Sequence, residues 1–379
     1  MSGIGVGLIG TGFMGKCHAL AFRAVPSIFE GTPAPRLEVL ADVDAKVTER
    51  LAEAWGFGQW TTDWRELVRD PKVDVVAITS PNFLHQEMAL AAIAAGKHVY
   101  CEKPLALDAA GARLMTEAAE AKGVRTLVGY NYLCAPALRL AKELIEAGDI
   151  GEIVHVRGTH FEDYMTDPAD PATWRSRKAT AGAGALGDLG SHVISLVRHL
   201  AGEIEEVQGA TQTMIRERPS LRGPGSMEPV EVDDQAQALL RFESGAAGVI
   251  EASWLAAGRK MGLTVEVTGS KGAMMLNFER KNELRLFRSG ETKRTHGFRT
   301  ILMGPEHQPY GRFCPAPGHQ LGFNDLKVIE VKGLLDAIAT GTPAQPDFRA
   351  AWRIAQVVDA ILLSAAERRP VGIREIAGG

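Results

Sequence analysis

Over the first third of the chain, short apolar runs alternate with longer segments rich in helix formers. Residues 4–10 are apolar and glycine-rich, 13–25 are helix-forming, and 37–41 are apolar again. The pattern continues with helical segments at 45–55, 84–95, 108–122 and 136–147, and apolar runs at 73–79, 97–101 and 125–129. Strands that are apolar on both faces and separated by helices belong to a parallel sheet covered on both sides. A doubly wound α/β domain is therefore predicted.

Beyond 148–151 the pattern changes. Extended segments now follow one another, at 152–161, 207–215, 232–242, 246–256, 262–268, 273–278 and 284–287, with a single helix at 191–200 among them. Glu243-Ser244-Gly245 and Gly269-Ser270-Lys271-Gly272 carry turn chemistry. This predicts an α+β domain with a mainly antiparallel open sheet. Residues 216–231, rich in Pro, Gly and Arg, are expected to form an exposed loop, and helices at 325–339 and 348–367 to end the chain. The expected domains are 1–130 and 131–379, with the boundary between 125 and 150.

Composition narrows the function without changing this picture. The chain has 379 residues, 45% of them hydrophobic and 23% charged, which is ordinary for globular domains. Lys and Arg number 42 against 46 Asp and Glu, with no basic tract suited to a phosphate backbone, so no nucleic-acid partner is expected. The apolar run 88–95 is far short of the ~20 residues that cross a bilayer. The N-terminus lacks a basic start and cleavage site, so no membrane partner and a cytoplasmic location are expected. Four cysteines, Cys17, Cys101, Cys134 and Cys314, lack CxxC spacing, which suits reduced thiols and no metal site.

Gly10-Thr11-Gly12-Phe13-Met14-Gly15 joins the first strand to the first helix. Alone the pattern is weak, but its strand–turn–helix context is the one in which glycines let a pyrophosphate approach a helix N-terminus. Asp42, just past the second strand, is placed to accept from a ribose diol, with residues 26–36 read as a loop that lengthens the spacing. No Arg or Ser follows it to welcome a 2′-phosphate, so NAD is expected over NADP. The plain alternative for Asp42 is a solvated helix cap. Ser80, Asn82 and His85 follow one strand and Glu102-Lys103-Pro104 the next, so both groups point to the same strand ends. A Lys-Pro bond restrains Lys103 and would be compatible with a cis peptide. Within Ala181–His192, small residues permit close approach to a ligand, and Asp188 and His192 lie one helical turn apart. The plain alternatives here are a surface lysine, and a helix-terminal acid beside a surface histidine.

Taken in this order, the GxGxxG, Asp42, Glu102-Lys103-Pro104 and Asp188…His192 resemble the glucose–fructose oxidoreductase / inositol dehydrogenase / rhizopine-catabolism family across nearly the whole chain. The resemblance implies an N-terminal Rossmann domain that binds NAD or NADP and a C-terminal sheet that often makes the oligomer contact, giving a homodimer or homotetramer. It implies a catalytic set of Lys103, Asp188 and His192. Residues 161–165, 170–175, 187–192 and 318–324 resemble the scyllo-inositol and L-glucose dehydrogenases, with levoglucosan dehydrogenases as close relatives. Gly129-Tyr130-Asn131-Tyr132 departs from the arginine-bearing pattern of many members, which turns the expectation from a phosphorylated or acidic sugar to a neutral polyol.

Oxidation of a secondary or anomeric hydroxyl needs a hydride acceptor and a base for the proton. The sequence leaves open whether His192 is that base, with Lys103 stabilising the alkoxide, or Lys103 itself. Expected cofactor contacts extend to Asn131, Trp174 and Arg175. Expected substrate contacts are Tyr132, His160, Asp163, Tyr164, Arg175 and His319, besides the catalytic set. Three other readings compete: a redox-assisted glycoside hydrolase, a non-catalytic dinucleotide sensor, and an aldehyde dehydrogenase using Cys101 or Cys134.

Overall fold

The computed structural model describes residues 3–223, 225–290 and 292–376. The chain divides into two compact units. The first takes the chain up to Ala106, then Ala110–Cys134 and Gly322–Arg353; the second takes Leu107–Ala109, Ala135–Leu321 and the remainder from Ile354. Against the expected partition at 1–130 and 131–379, residues 322–353 return to the first unit and the short piece Leu107–Ala109 joins the second.

The first unit is built on six parallel strands, β1 (Ile4–Ile9), β2 (Pro35–Ala41), β3 (Gln59–Thr61), β4 (Val75–Ile78), β5 (His98–Cys101) and β6 (Thr126–Val128), in the order β3-β2-β1-β4-β5-β6. All residues of β1 and β4 are buried, which is why they read as continuous apolar runs. The helices between the strands are α1 (Phe13–Ile28), α2 (Ala45–Trp55), α3 (Trp64–Arg69), α4 (Asn82–Ala94) and α5 (Ala109–Lys122). The expected loop at 26–36 is shorter than predicted. α1 continues through Pro26, and Phe29 donates to the Val25 carbonyl at 2.9 Å. The short pair β3 and α3 was not anticipated, because neither is long enough to show a period.

Residues 322–353 belong to this unit for a physical reason. β6 ends the sheet, and an open edge offers unpaired backbone groups. Val128 donates to the Pro346 carbonyl at 2.9 Å, and the amide of Phe348 donates to Thr126 Oγ1 at 3.1 Å. α10 (Phe323–Thr340) and the start of α11 (Phe348–Glu367) flank this segment.

The second unit carries a nine-stranded mixed sheet. Its strands are β7 (Ile153–Phe161), β8 (Ile204–Gln212), β11 (Gln235–Phe242), β12 (Ala247–Ser253), β13 (Gly262–Gly269), β14 (Gly272–Asn277), β15 (Glu283–Arg288), β16 (Arg299–Leu302) and β17 (Val371–Gly372). Their order is β16-β15-β14-β13-β7-β12-β11-β8-β17, antiparallel except where β12 runs parallel to β7. α6 (Pro136–Glu146), α7 (Lys178–Ala181), α8 (Ser191–Ala201) and the short α9 (Tyr310–Phe313) complete it. α8 seats against β7 where Gly158 has no side chain: a Cβ there would lie 2.4 Å from a methyl of Val193. The expected exposed loop at 216–231 instead holds a two-stranded ribbon, β9 (Glu217–Pro219) with β10 (Met227–Pro229). Within it the Arg218 side chain is wholly buried, donating to the carbonyls of Met165 at 2.6 Å and Asp167 at 2.8 Å. No helix among the described residues is long and apolar enough to cross a membrane.

Asp359 of α11 accepts from the Ala109 amide at 2.8 Å, yet burial raises its pKa to about 6. The folded state therefore holds this proton more tightly than the unfolded chain, and stability falls as pH rises from about 4 through about 6. Asp359→Asn, which keeps an acceptor, is expected to match wild-type Tm near pH 4 and exceed it by a few degrees at pH 7.5. A Tm difference that does not change with pH would refute this.

Candidate functional site

In the first unit, the candidate cofactor residues collect where the sheet order reverses, between β1 and β4. There Gly10 takes φ +106°, and a Cβ at Gly15 would lie 2.1 Å from the Gly10 carbonyl, so this turn closes only with glycine. Thr79 Oγ1 donates to the Ile9 carbonyl at 2.9 Å and ties the end of β4 to the turn. Next to it, Asp42 accepts from the Thr11 amide at 2.7 Å, the Thr11 hydroxyl at 2.5 Å and the Val43 amide at 2.6 Å. Its carboxylate is thus fixed beside the glycine turn rather than capping α2, a task performed by Asp44 through the Val47 amide.

Three observations fit a dinucleotide here. A Cβ at Gly12 would meet nothing within 4 Å, leaving space over the turn. α1 starts without a side-chain cap or an acid in its first turn, so its N–H groups remain for an anion. Asn131 is buried, and its Nδ2 has no protein partner. Phe13, following the turn and exposed, stacks on Phe323 at 5.8 Å, and Tyr132 meets the same ring edge-on at 6.3 Å.

Two residues expected to touch the cofactor have other partners. His85 is buried, one ring nitrogen 2.9 Å from the Ser80 carbonyl and the other 2.9 Å from that of Pro104. Burial lowers its pKa, and the neutral ring donates to one of the two. It links the loop after β4 to the loop after β5, while Ser80 Oγ contacts Met88 Sδ at 3.4 Å. Glu102 is buried too, accepting from His18 Nε2 at 2.8 Å and Lys327 Nζ at 2.6 Å. Lys103 is half-buried, and Lys103–Pro104 is a cis bond.

In the second unit, Asp188 lies in one π-helical turn, Leu186–Gly190, directly ahead of α8 and His192. The regular helical turn expected between them is thus a wider one, a form frequent at functional sites. Tyr164 donates to Asp188 Oδ2 at 2.7 Å; burial and this carboxylate raise the phenol's pKa, so it remains a donor. His192 is buried edge-on to His160 at 5.7 Å. His160 itself is fully enclosed, Nδ1 3.1 Å from the Leu189 carbonyl and Nε2 3.0 Å from Glu162. It braces the π turn through the Leu189 carbonyl. Asp163 likewise holds Lys260 at 2.7 Å and the Gly258 amide at 3.1 Å. Arg175 is exposed over the Trp174 ring at 4.4 Å, and Trp174 packs against the cluster of Ala181, Ala185, Leu189 and Trp254. His319 is exposed on the segment after α9.

The sequence reading missed Asp233 and Asp234. Asp233 accepts from the amides of Gly184 at 2.8 Å and Leu186 at 2.7 Å, and its own carbonyl accepts from Ala185. Asp234 accepts from Trp254 Nε1 at 2.7 Å, and the Trp254 ring meets Tyr164 edge-on at 6.2 Å. Adjacent acids just ahead of a strand that alternates apolar and polar positions were the available signal. The thiol alternatives recede: burial pushes the Cys101 and Cys134 thiols well up, so neither is an ionised nucleophile.

A doubly wound sheet with this glycine turn and fixed acid, followed by an acid–histidine turn on a mixed sheet, defines an NAD-binding oxidoreductase. The family models agree in both parts: the oxidoreductase family with NAD-binding Rossmann fold matches residues 4–130, and the GFO/IDH/MocA C-terminal domain matches 138–275. The chain belongs to the GFO/IDH/MocA oxidoreductase family. It is similar to levoglucosan dehydrogenase of Pseudarthrobacter phenanthrenivorans, 40% identical over 99% of this chain and 100% of that protein. It is also similar to myo-inositol 2-dehydrogenase of Thermotoga maritima, 31% identical over 70% of this chain and 72% of that one. Among solved structures, levoglucosan dehydrogenase in complex with NADH and levoglucosan has a TM-score of 0.94 at 40% identity, covering 98% of this chain and 100% of that one.

Removing the Asp233 carboxylate strands two buried amides, at about 1–3 kcal/mol each. Asp233→Ala should lower Tm by several degrees and reduce turnover, whereas Asp163→Ala should leave Tm nearly unchanged. Equal Tm values for the two variants would contradict the anchoring role of Asp233.

Proposed function

We propose that the protein oxidises a secondary or anomeric hydroxyl of a neutral cyclic sugar or polyol by hydride transfer to NAD, with an anhydropyranose of the levoglucosan type as the first candidate and scyllo-inositol or L-glucose next. The observation that carries this reading is Asp188, held by the Tyr164 hydroxyl on the turn that leads into His192. A carboxylate and an imidazole on one short segment, with a phenol reaching in from the loop after β7, can orient a hydroxyl and receive its proton. The levoglucosan dehydrogenase match over both full lengths favours the anhydrosugar over the inositols.

In this reading His192 accepts the hydroxyl proton, Asp188 orients the hydroxyl, and the Lys103 ammonium stabilises the developing alkoxide. NAD, when bound, supplies the hydride acceptor. The glycine turn and α1 N-terminus hold its pyrophosphate, and Asp42 holds its ribose diol. Arg175 and His319 donate to vicinal hydroxyls of the sugar, and no charged substrate group is needed. The C-terminal sheet makes a homodimer or homotetramer contact, supported by the exposed Leu239 and the half-buried Val249 at paired positions of β11 and β12.

An NADH-formation screen at 340 nm over levoglucosan, inositols and free hexoses tests the substrate class. Activity confined to hexose phosphates would overturn it. NAD should be preferred over NADP by at least tenfold in kcat/KM, about 1.4 kcal/mol, and Asp42→Ser should narrow that gap. Lys103→Ala and His192→Ala should keep Tm and NAD binding while lowering kcat by ~10²–10⁴; more than half the turnover left in either removes that residue from the chemistry.

His319→Ala should raise KM and blur epimer discrimination more than it lowers kcat, because uniform binding is what it would remove. Loss of kcat at unchanged KM would instead place His319 among the reacting groups.

A further inference from the structure

Glu102 is the focus of a cluster of ionisable groups that lies wholly within the first unit and that the proposed chemistry does not use. Its Oε1 accepts from Lys327 Nζ at 2.6 Å and from His18 Nε2 at 2.8 Å. Its Oε2 accepts from the amide of Lys103 at 3.2 Å. Lys327, from the second turn of α10, has no solvent exposure and also donates to Glu330 at 2.9 Å and to Tyr100 Oη at 3.2 Å. Tyr100 in turn donates to Glu330, and His18 stacks on the Tyr100 ring at 4.1 Å. The carboxylate sits in a slot fitted to it. A Cβ at Gly129 would lie 2.6 Å from Glu102 Oε1, so the strand end after β6 approaches the carboxylate more closely than any side chain would allow.

Every element around the carboxylate contributes a titratable group: Cys17 and His18 from α1, His85 from α4, Tyr100 and Cys101 from β5, Lys103 beside it, Cys134, and Lys327 and Glu330 from α10. Of these, Lys327 is the cation in direct contact with the carboxylate. Burial holds the His18 pKa down to about 4, so its ring is neutral and its contact is a hydrogen bond. The Glu330 carboxyl is pushed up to about 7, which leaves Glu102 as the carboxylate that is ionised throughout the neutral range. Without Lys327, a buried anion would stand one residue before the proposed catalytic lysine without the ammonium now in contact with it.

We propose that Lys327 is a positioning residue for the oxidation: it keeps Glu102 ionised and fixed against Gly129, and Glu102 then fixes the Lys103 amide and supplies the negative charge beside which the Lys103 ammonium works. The inference rests on the reading of Lys103 given above. It adds that a residue far along the chain, with no exposure to a ligand, sets turnover through charge.

Glu102→Gln, Lys327→Met and the double variant Glu102→Gln/Lys327→Met test it on the full-length protein, with Tm, kcat and the Kd for NADH measured on each. Lys327→Met should lose stability, because Glu102 is left unpaired in the interior. The double variant removes both charges and should recover most of the lost Tm. Its kcat should nevertheless stay at least tenfold below wild type, with the Kd for NADH changed less than threefold. Glu102→Gln, in which Lys327 keeps Glu330 as its counter-charge, should show the same kcat loss at near-normal Tm. Recovery of both Tm and kcat in the double variant, or a kcat within twofold of wild type in Glu102→Gln, overturns the proposal and leaves the cluster a matter of stability alone. Lys103→Ala separates the two readings. If it remains active, the role of Lys103 fails; if it is inactive while Glu102→Gln turns over normally, only the role of Lys327 fails.

Discussion

A carboxylate removed from water has to be met by a cation or by donors that replace its hydration. At Glu102 both requirements are satisfied from three directions: an imidazole of α1, an ammonium of α10 and the next peptide amide. Much of the first unit is arranged around that demand. It requires α1 to present His18 inward, glycine at 129, and a helix from the far end of the chain packed close enough for Lys327 to reach. That last requirement is also why residues 322–353 belong with the parallel sheet although the long stretch Ala135–Leu321 of the second unit precedes them in sequence.

The sheet architecture was legible because its strands announce themselves. The fully buried β1 and β4 read as apolar runs, and in the second unit β11 alternates buried and open positions from Gln235 to Phe242. What escaped was short or compensated. β3 and α3 are too brief for a period. Arg218 and its neighbours looked solvent-bound because arginine is mostly exposed, and nothing local reveals that backbone carbonyls of residues 165 and 167 will enclose the guanidinium. The same blindness applies to Lys327 and Glu330. They occupy positions of α10 that face inward beside Val331 and Leu334, and only the fold supplies their partners.

For the site, the residues nearest the expected chemistry were read more readily than those that hold them. Asp42 and the glycine turn came from a motif whose physics is local. Asp188 and His192 were recognised by spacing, although the backbone between them opens into a π turn. His85, Glu102, His160 and Asp163 were placed among ligand contacts because polar residues at strand ends usually serve there. Each has protein partners that the sequence did not announce, and a polar side chain at a strand end carries no mark of whether it faces the ligand or the loop beneath it.

The split course of the first unit bears on how the protein is made. Lys327 follows Glu102 by 225 positions. At synthesis rates of ~5–20 residues per second this is a delay of roughly 10–45 s on the ribosome. During that interval the nascent sheet has its glycine turn and most of its strands but no α10, and Glu102 has no ammonium to meet it. The contiguous stretch 135–321 is completed before the first unit can be. Neither unit is complete early: the first closes only with residues 322–353, and the second takes the chain from Ile354 onward. The earliest-made strands wait for residues 322–353, which lie within the last sixth of the polypeptide.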